Sequence, residues 1–195
     1  MDSPCFLGID FGTGGARAAA IDKAGNILAE EREPFAGDPS PGAWRSALFD
    51  LIGRLPASLR GNLQAIAIDG TSGTVLLCGE DNEPVTAPLM YDDARAKAEA
   101  GRLSRIAPPG HVVLSPASSL AKLLWFAGQP EYGLARFFLH QADWLASLLH
   151  GRPGVSDYHN CLKLGYDPAR AAYPEWLRNL PVAPWLPQVV APGAA

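Results

Sequence analysis

The tightest constraint on the fold lies near the start of the chain, in Phe6-Leu7-Gly8-Ile9-Asp10-Phe11-Gly12-Thr13-Gly14-Gly15-Ala16-Arg17. An apolar run ends in one carboxylate, a loop of small residues follows, and a second apolar run (18–21) comes next. The pattern predicts strand, tight turn, strand, with Asp10 at the end of the first strand. Glycines at 12, 14 and 15 let the backbone bend sharply and come close to a ligand, and Gly12 or Gly14 is expected to need a positive φ. Successive backbone N–H groups in such a loop can converge on an anion, and Thr13 adds a hydroxyl donor. Asp10 is a hard oxygen ligand of the kind that holds Mg²⁺ while several waters stay on the metal. These residues predict a cradle for nucleotide phosphates and their metal, although an ordinary glycine-rich hairpin has the same local composition. The spacing is not G-x-G-x-x-G, because Arg17 stands where the last glycine belongs. Nor is it a Walker A loop, because no Gly-Lys-Ser/Thr follows.

A chain of 195 residues with 48% hydrophobic and 18% charged residues can bury a core and is expected to be globular. A net charge of −4 argues against a nucleic-acid partner or an anionic membrane surface. No apolar run reaches transmembrane length. Met1-Asp2-Ser3-Pro4 lacks a basic segment and an apolar signal core, so the expected location is cytoplasmic. Cys5, Cys78 and Cys161 are odd in number and far apart, and are expected as buried thiols in a reducing compartment. The four histidines show no ligand spacing, so no dedicated metal site is expected.

Further along, a turn over 22–26 leads to a third strand at 27–34, which makes a meander of the first three strands. A loop over 35–41 precedes a helix at 43–55, where Trp44, Leu48, Leu51, Ile52 and Leu55 fall at helical spacing and Pro56 stops it. Residues 63–69 are expected as a buried strand ending in a second carboxylate, Asp69. Gly70-Thr71-Ser72-Gly73-Thr74 is a second small-residue loop, followed by a strand at 75–78, a turn at 80–83 and a return at 85–90. A helix is expected from Tyr91 to about Ile106, with Asp92 and Asp93 in its first turn, where the helix dipole favours negative charge. Helices are also expected over 118–127, 137–150 and 173–179. Residues 155–166 are expected as a compact loop, and 181–195 shows no clear element. The class is α/β with a mixed sheet.

The loop Asp10-Phe11-Gly12-Thr13-Gly14-Gly15-Ala16-Arg17 closely resembles the first phosphate loop of the actin-like ATPase fold, and in particular that of the FGGY family of carbohydrate kinases. Other segments resemble that family in order. Tyr91-Asp92-Asp93-Ala94-Arg95 is similar to its Trp-Asn/Gln-Asp-x-Arg, and Ser119 to Trp125 to its Pro/Ser/Thr-x-x-Lys-apolar-x-Trp. Gln141 to Leu145, Ser156 to Asn160 and the linker-like stretch from Leu186 to Gly193 also have counterparts. Asp69-Gly70-Thr71-Ser72-Gly73-Thr74 departs from the Ser-Gly-Gln-Met-His-Gly of xylulokinase-like members by losing the imidazole. It resembles the D-ribulose kinase-like branch.

The resemblance implies an actin-like, ribonuclease-H-like domain over 1–195, the N-terminal domain of a sugar kinase. It implies ATP and Mg²⁺ as cofactors and a ketopentose, D-ribulose or D-xylulose, as substrate. By the same resemblance Asp10 holds the metal through water, and Gly12, Thr13, Gly14, Gly15 and Arg17 hold the phosphates. Thr71, Ser72, Asp93 and Arg95 contact the sugar. Lys122 faces either the substrate cleft or the surface, with Trp125 in the core in the second case. Gln141–Leu145 and Ser156–Asn160 suit scaffold better than chemistry. Family kinases are more than twice as long, so the general base and the adenosine site are expected outside this chain. The expected partner is the missing C-terminal half or a second copy, and the chain alone is expected to be inactive. Another actin-like enzyme such as a glycerol kinase or a chaperone ATPase, and a non-catalytic sugar-binding or interaction domain, are the alternatives.

Overall fold

The computed structural model describes residues 4–37 and 40–194. Residues 1–3, Asp38 and Pro39 of the 35–41 loop, and Ala195 lie outside the described residues. The chain divides into two compact units, Met1–Thr71 and Ser72–Ala195.

In the first unit, β1 (Cys5–Phe11), β2 (Gly15–Ile21) and β3 (Ile27–Pro34) form the expected antiparallel meander. The helix α1 (Pro41–Arg54) and the short α2 (Ala57–Arg60) then lead to β4 (Leu63–Gly70), which pairs in parallel with β1. The sheet order is β3-β2-β1-β4, a mixed sheet. Alternation decides its faces: Cys5, Leu7, Ile9 and Phe11 are buried, as are Ala16, Ala18 and Ala20, while Gly8, Asp10 and Arg17 point the other way into solvent. The helix α1 packs on β2 and β3 and buries Trp44, Ala47, Leu48 and Leu51, each large side chain gaining roughly 1.5–3 kcal/mol by leaving water. Pro41 opens α1, and the Ser40 hydroxyl accepts the Ala43 N–H at 3.2 Å.

The buried strand expected over 63–69 is not buried. β4 is the outer strand of the sheet, and Gln64, Ala65, Ile66, Ala67 and Asp69 are exposed. Its apolar residues on both faces suggested cover on both sides, but the next strand in sequence joins a different sheet.

In the second unit, β5 (Val75–Cys78) pairs antiparallel with β6 (Phe137–His140). The helices α3 (Lys97–Leu103) and α4 (Ser119–Phe126) pack together on a core that includes Val75, Leu77, Leu103, Val113, Leu120, Leu123, Phe126 and Phe138, and α5 (Gln141–His150) follows β6 and buries Ala142, Trp144 and Leu145. β7 (Val155–Asp157), the one-turn helices α6 (Tyr158–Cys161) and α7 (Glu175–Arg178), and β8 (Gln188–Val190) complete it, with β7 parallel to β8. The Ser118 hydroxyl accepts the Ala121 N–H to cap α4, and Gly151 closes α5 at φ 70°.

Several expected bounds move. The helix expected at 91–106 is only α3: the Asp93 N–H donates to Met90 O at 3.0 Å and the Asp93 carboxylate accepts the N–H of Arg95 at 3.0 Å, which keeps the backbone at Asp93–Arg95 out of the helix. Residues 137–140 are strand rather than helix, since Phe-Phe-Leu-His suits either period and β5 supplies the partner. The 155–166 segment holds β7, α6 and a 3-10 turn rather than an irregular loop, and 181–195 contains β8. The 85–90 return forms no strand of its own and meets β5 through the Leu89–Val75 bridge and the Val85 N–H, which donates to Leu77 O at 2.9 Å. All three cysteines are buried thiols. Among the described residues, no helix is long and apolar enough to cross a membrane.

Candidate functional site

Asp10 sits one residue before the end of β1, on the exposed face of the sheet. Register places it between Arg17 on β2 and Asp69 on β4, and Arg32 on β3 follows Arg17 in the same row. The loop is closed by the Gly12 N–H donating to Gly15 O at 3.0 Å, and the Phe35 N–H donates to Gly14 O at 3.1 Å. The Thr13 and Gly14 N–H groups bond to nothing among the described residues. A Cβ on Gly14 would meet nothing within 4 Å. A concavity of about 550 Å³ opens here, lined by Asp10, Thr13, Gly14, Arg17 and Arg32 among others. Two amide donors, open space and two guanidinium groups suit a polyanion.

The expected positive φ at Gly12 or Gly14 is absent, since neither is among the residues with positive φ. The glycine the loop requires is Gly15, where a Cβ would stand 2.6 Å from the Glu33 carbonyl oxygen and 3.0 Å from the Pro34 Cα. Pairing of β2 with β3 makes this contact, which the spacing of the loop alone could not show.

Thr71 donates its hydroxyl to the Phe11 carbonyl at 3.2 Å, tying the end of β4 to the end of β1. Ser72, Asp93 and Arg95 belong to the second unit. Ser72 is exposed. Asp93 and Arg95 are bound to each other, with Nε 2.9 Å from both carboxylate oxygens and the Nη2–Oδ2 pair at 2.7 Å. The Arg95 guanidinium also lies over the Trp125 ring, 5.0 Å from its centroid. Partial burial alone would raise the Asp93 carboxyl; the hydrogen bonds from Arg95 and the charges of Arg95 and Lys122 outweigh it and hold the group below its ordinary value.

Lys122 is neither on the surface nor free. It is fully buried, and Nζ donates to Gly73 O at 2.8 Å and Met90 O at 2.5 Å. Trp125, expected in the core in that case, is only half-buried. A second lysine, Lys163, donates to Ser72 O at 2.9 Å and was not visible as a site residue in the sequence. Nor was Arg32, which only strand register brings beside Arg17. Burial lowers the Lys122 ammonium from 10.5 to about 8; Asp93 and Asp92 oppose the shift, and Lys163 and Arg95 add to it. Unfolded, the amine keeps its proton up to its ordinary value. Between those two values the unfolded state therefore binds more protons, and stability rises with pH. At about 1.36 kcal/mol per unit, the gain from pH 8 to about 9.5 reaches roughly 2 kcal/mol. Urea unfolding of wild type and Lys122→Met at neutral and alkaline pH tests this, and equal pH profiles would refute it.

Gln141–Leu145 and Ser156–Asn160, expected to suit scaffold better than chemistry, are joined by hydrogen bonds around Asp143. His140 is hydrogen-bonded to Asp143 (2.9 Å) and Ser119 (3.0 Å), and Asn160 donates to the other Asp143 oxygen at 3.1 Å. Ser119, His140 and Asp143 are all buried, and this serine-histidine-aspartate arrangement ties α4, β6, α5 and α6 together.

No family model matches the chain. It is 27% identical over 175 residues to the autoinducer-2 kinase of Yersinia pestis (strain Pestoides F), covering 76% of this chain and 32% of that protein. The same figures hold for the autoinducer-2 kinase of Yersinia pseudotuberculosis serotype O:1b (strain IP 31758). The chain thus spans about a third of the length of these curated relatives. Among solved structures, a xylulose kinase from Brucella ovis is 24% identical with a TM-score of 0.77, covering 95% of this chain and 43% of its own. Plasmodium falciparum glycerol kinase with ADP is 17% identical with a TM-score of 0.75, covering 96% and 43%. A gluconate kinase from Lactobacillus acidophilus is 16% identical with a TM-score of 0.74, covering 95% and 42%. The resemblance carried by the motifs holds in three dimensions: the chain has the actin-like ATPase fold of the N-terminal domains of FGGY-type sugar kinases.

Proposed function

We propose that residues 1–195 form the N-terminal domain portion of an ATP-dependent sugar kinase that phosphorylates a hydroxyl of a ketopentose, D-ribulose first and D-xylulose second. The observation that carries this reading is the loop after β1, where Asp10 stands beside two unbonded N–H groups and an open concavity on a fold shared with sugar kinases. Its donors and space fit a triphosphate. Bound MgATP supplies the phosphoryl group and a cation that neutralises charge at the transferring oxygens. Asp10 would hold the metal, the Gly12–Gly15 backbone and the Thr13 hydroxyl would position the phosphates, and Arg17 would balance their charge. On the sugar side, Ser72 and the Asp93–Arg95 pair orient hydroxyls, with Thr71 fixing the approach to that loop.

By the family resemblance, the base that takes the hydroxyl proton lies beyond the linker-like 186–193. The 195-residue chain alone is therefore proposed to turn over near background, for want of a base worth about 10²–10⁴-fold and of the second wall of the cleft. The proposed location is the cytoplasm, and the proposed partner is a C-terminal half or a second copy.

The test is calorimetric titration of the chain with D-ribulose, D-xylulose, glycerol, gluconate and MgATP, beside a coupled phosphotransfer assay. Binding of glycerol or gluconate in preference to both ketopentoses would overturn the substrate assignment. Ser72→Ala and Asp93→Ala are each expected to weaken D-ribulose binding by about 1–3 kcal/mol while leaving MgATP affinity unchanged. Equal losses for both ligands would put these residues in the wrong site.

A further inference from the structure

One ammonium group joins both segments that carry the proposed sugar contacts. Lys122 donates to the carbonyl of Gly73, one residue after Ser72, and to the carbonyl of Met90. That second carbonyl also accepts the Asp93 N–H at 3.0 Å, closing the turn that presents Asp93. The two segments meet again at Val75 and Leu89, which exchange backbone hydrogen bonds of 3.0 and 2.8 Å. Lys163 holds the preceding carbonyl, that of Ser72. Its stem lies 3.3 Å from where a Cβ on Gly73 would stand, and Gly73 itself has φ +89°. Two successive carbonyls of one loop, those of the exposed Ser72 and the buried Gly73, are thus held by two lysines.

We propose that Lys122 is a positioning residue for the substrate, fixing the Ser72–Gly73 loop and the turn of Asp93 to each other so that both side chains meet one sugar as a rigid surface. The proposal rests on the reading of Ser72 and Asp93 as sugar contacts. If packing were the whole purpose, a methionine or leucine would fill the same volume without burying a charge, and such replacements are commonly neutral or stabilising. A lysine at this place sacrifices stability for the location of two carbonyls. Its depressed pKa is the sign of that sacrifice. The charged groups facing it are Asp93, Asp92, Lys163 and Arg95. A neutral amine keeps two N–H donors for the two carbonyls, so deprotonation leaves the tie in place and changes its field at both loops together.

The experiment uses the 195-residue chain. Amide resonances of Gly73, Thr74, Met90, Tyr91 and Asp93 are followed by ¹⁵N NMR from about pH 6.5 to 9.5, spanning the titration of a buried lysine. Both segments are expected to shift with one common midpoint near 8, and the shift is expected to vanish in Lys122→Met. D-Ribulose is then titrated at neutral pH. Its affinity is expected to fall at least about tenfold in Lys122→Met and less in Lys163→Met, the size of about one lost hydrogen bond. It is expected to hold in Leu177→Ala, a core variant that costs stability elsewhere in the same unit. Separate midpoints for the two segments, or an affinity in Lys122→Met within twofold of wild type, would overturn the proposal. If Lys122→Met does not fold, the wild-type titration and the partly exposed Lys163→Met decide. If the wild-type chain binds no D-ribulose, the functional reading falls, and the common midpoint alone judges the coupling.

Discussion

Gly15→Val is expected to unfold the first unit. The added Cβ would start 2.6 Å from the Glu33 carbonyl oxygen and 3.0 Å from the Pro34 Cα. Both are backbone atoms of β3, so no side-chain rotation relieves the clash. β2 and β3 would have to separate at the end where the loop begins, losing ladder bonds there and shifting the row of Arg17 and Arg32. Overpacking against a rigid backbone, with branching added, should cost about 3–5 kcal/mol. Gly14→Ala is the matched control. Nothing lies within 4 Å of its added Cβ, and the cost should stay within about 1 kcal/mol. Urea unfolding of the two variants measures the difference. Equal stabilities would mean that the contact between β2 and β3 is looser than the structure has it.

Asp10→Ala should have the largest effect on chemistry and almost none on folding. The side chain is exposed on the open face of the sheet, so its removal leaves no cavity and no orphaned partner. If Asp10 holds the metal of a nucleotide, its loss removes several kcal/mol of charge stabilisation at the transferring phosphoryl group. That corresponds to a rate loss of about a thousandfold or more in a complete kinase containing this segment. In the chain itself, the dependence of ATP binding on Mg²⁺ should disappear. Kinetics with D-ribulose and titrations with and without Mg²⁺ test this. Activity within a few-fold of wild type would show that the carboxylate has no part in holding the metal.

The first unit was legible because its signals were local and agreed with one another. The two apolar runs on either side of the glycine loop, the Asp22-to-Asn26 turn and the helical spacing of Trp44, Leu48 and Leu51 each specify one state. The second unit was less legible because its elements depend on partners distant in sequence. Phe137 to His140 is strand only because β5 lies beside it. Asp92 and Asp93 looked like a helix start until the Asp93 carboxylate closed a turn on Arg95. Among the candidate site residues, the phosphate loop could be placed from its glycines and carboxylate, but not the identity of the constrained glycine, which the contact with β3 decides. Lys122 carried a motif but no sign of its burial, since a lysine on an apolar helix usually extends its stem and keeps its charge in water.

The outward position of β4 bears on how the protein behaves at high concentration. From Leu63 to Ile68 the strand reads Leu-Gln-Ala-Ile-Ala-Ile, without a charge or a proline, and it lies at the rim of its sheet with Ile66 37% exposed. Such a rim is a template on which a strand of a neighbouring molecule can be laid down, because its outward N–H and C=O groups are already spaced for pairing. A chain stable in urea can therefore still be lost from solution by end-on growth of sheets. The remedy is colloidal, a lysine in place of Gln64 on an exposed position of the rim, rather than any strengthening of the core.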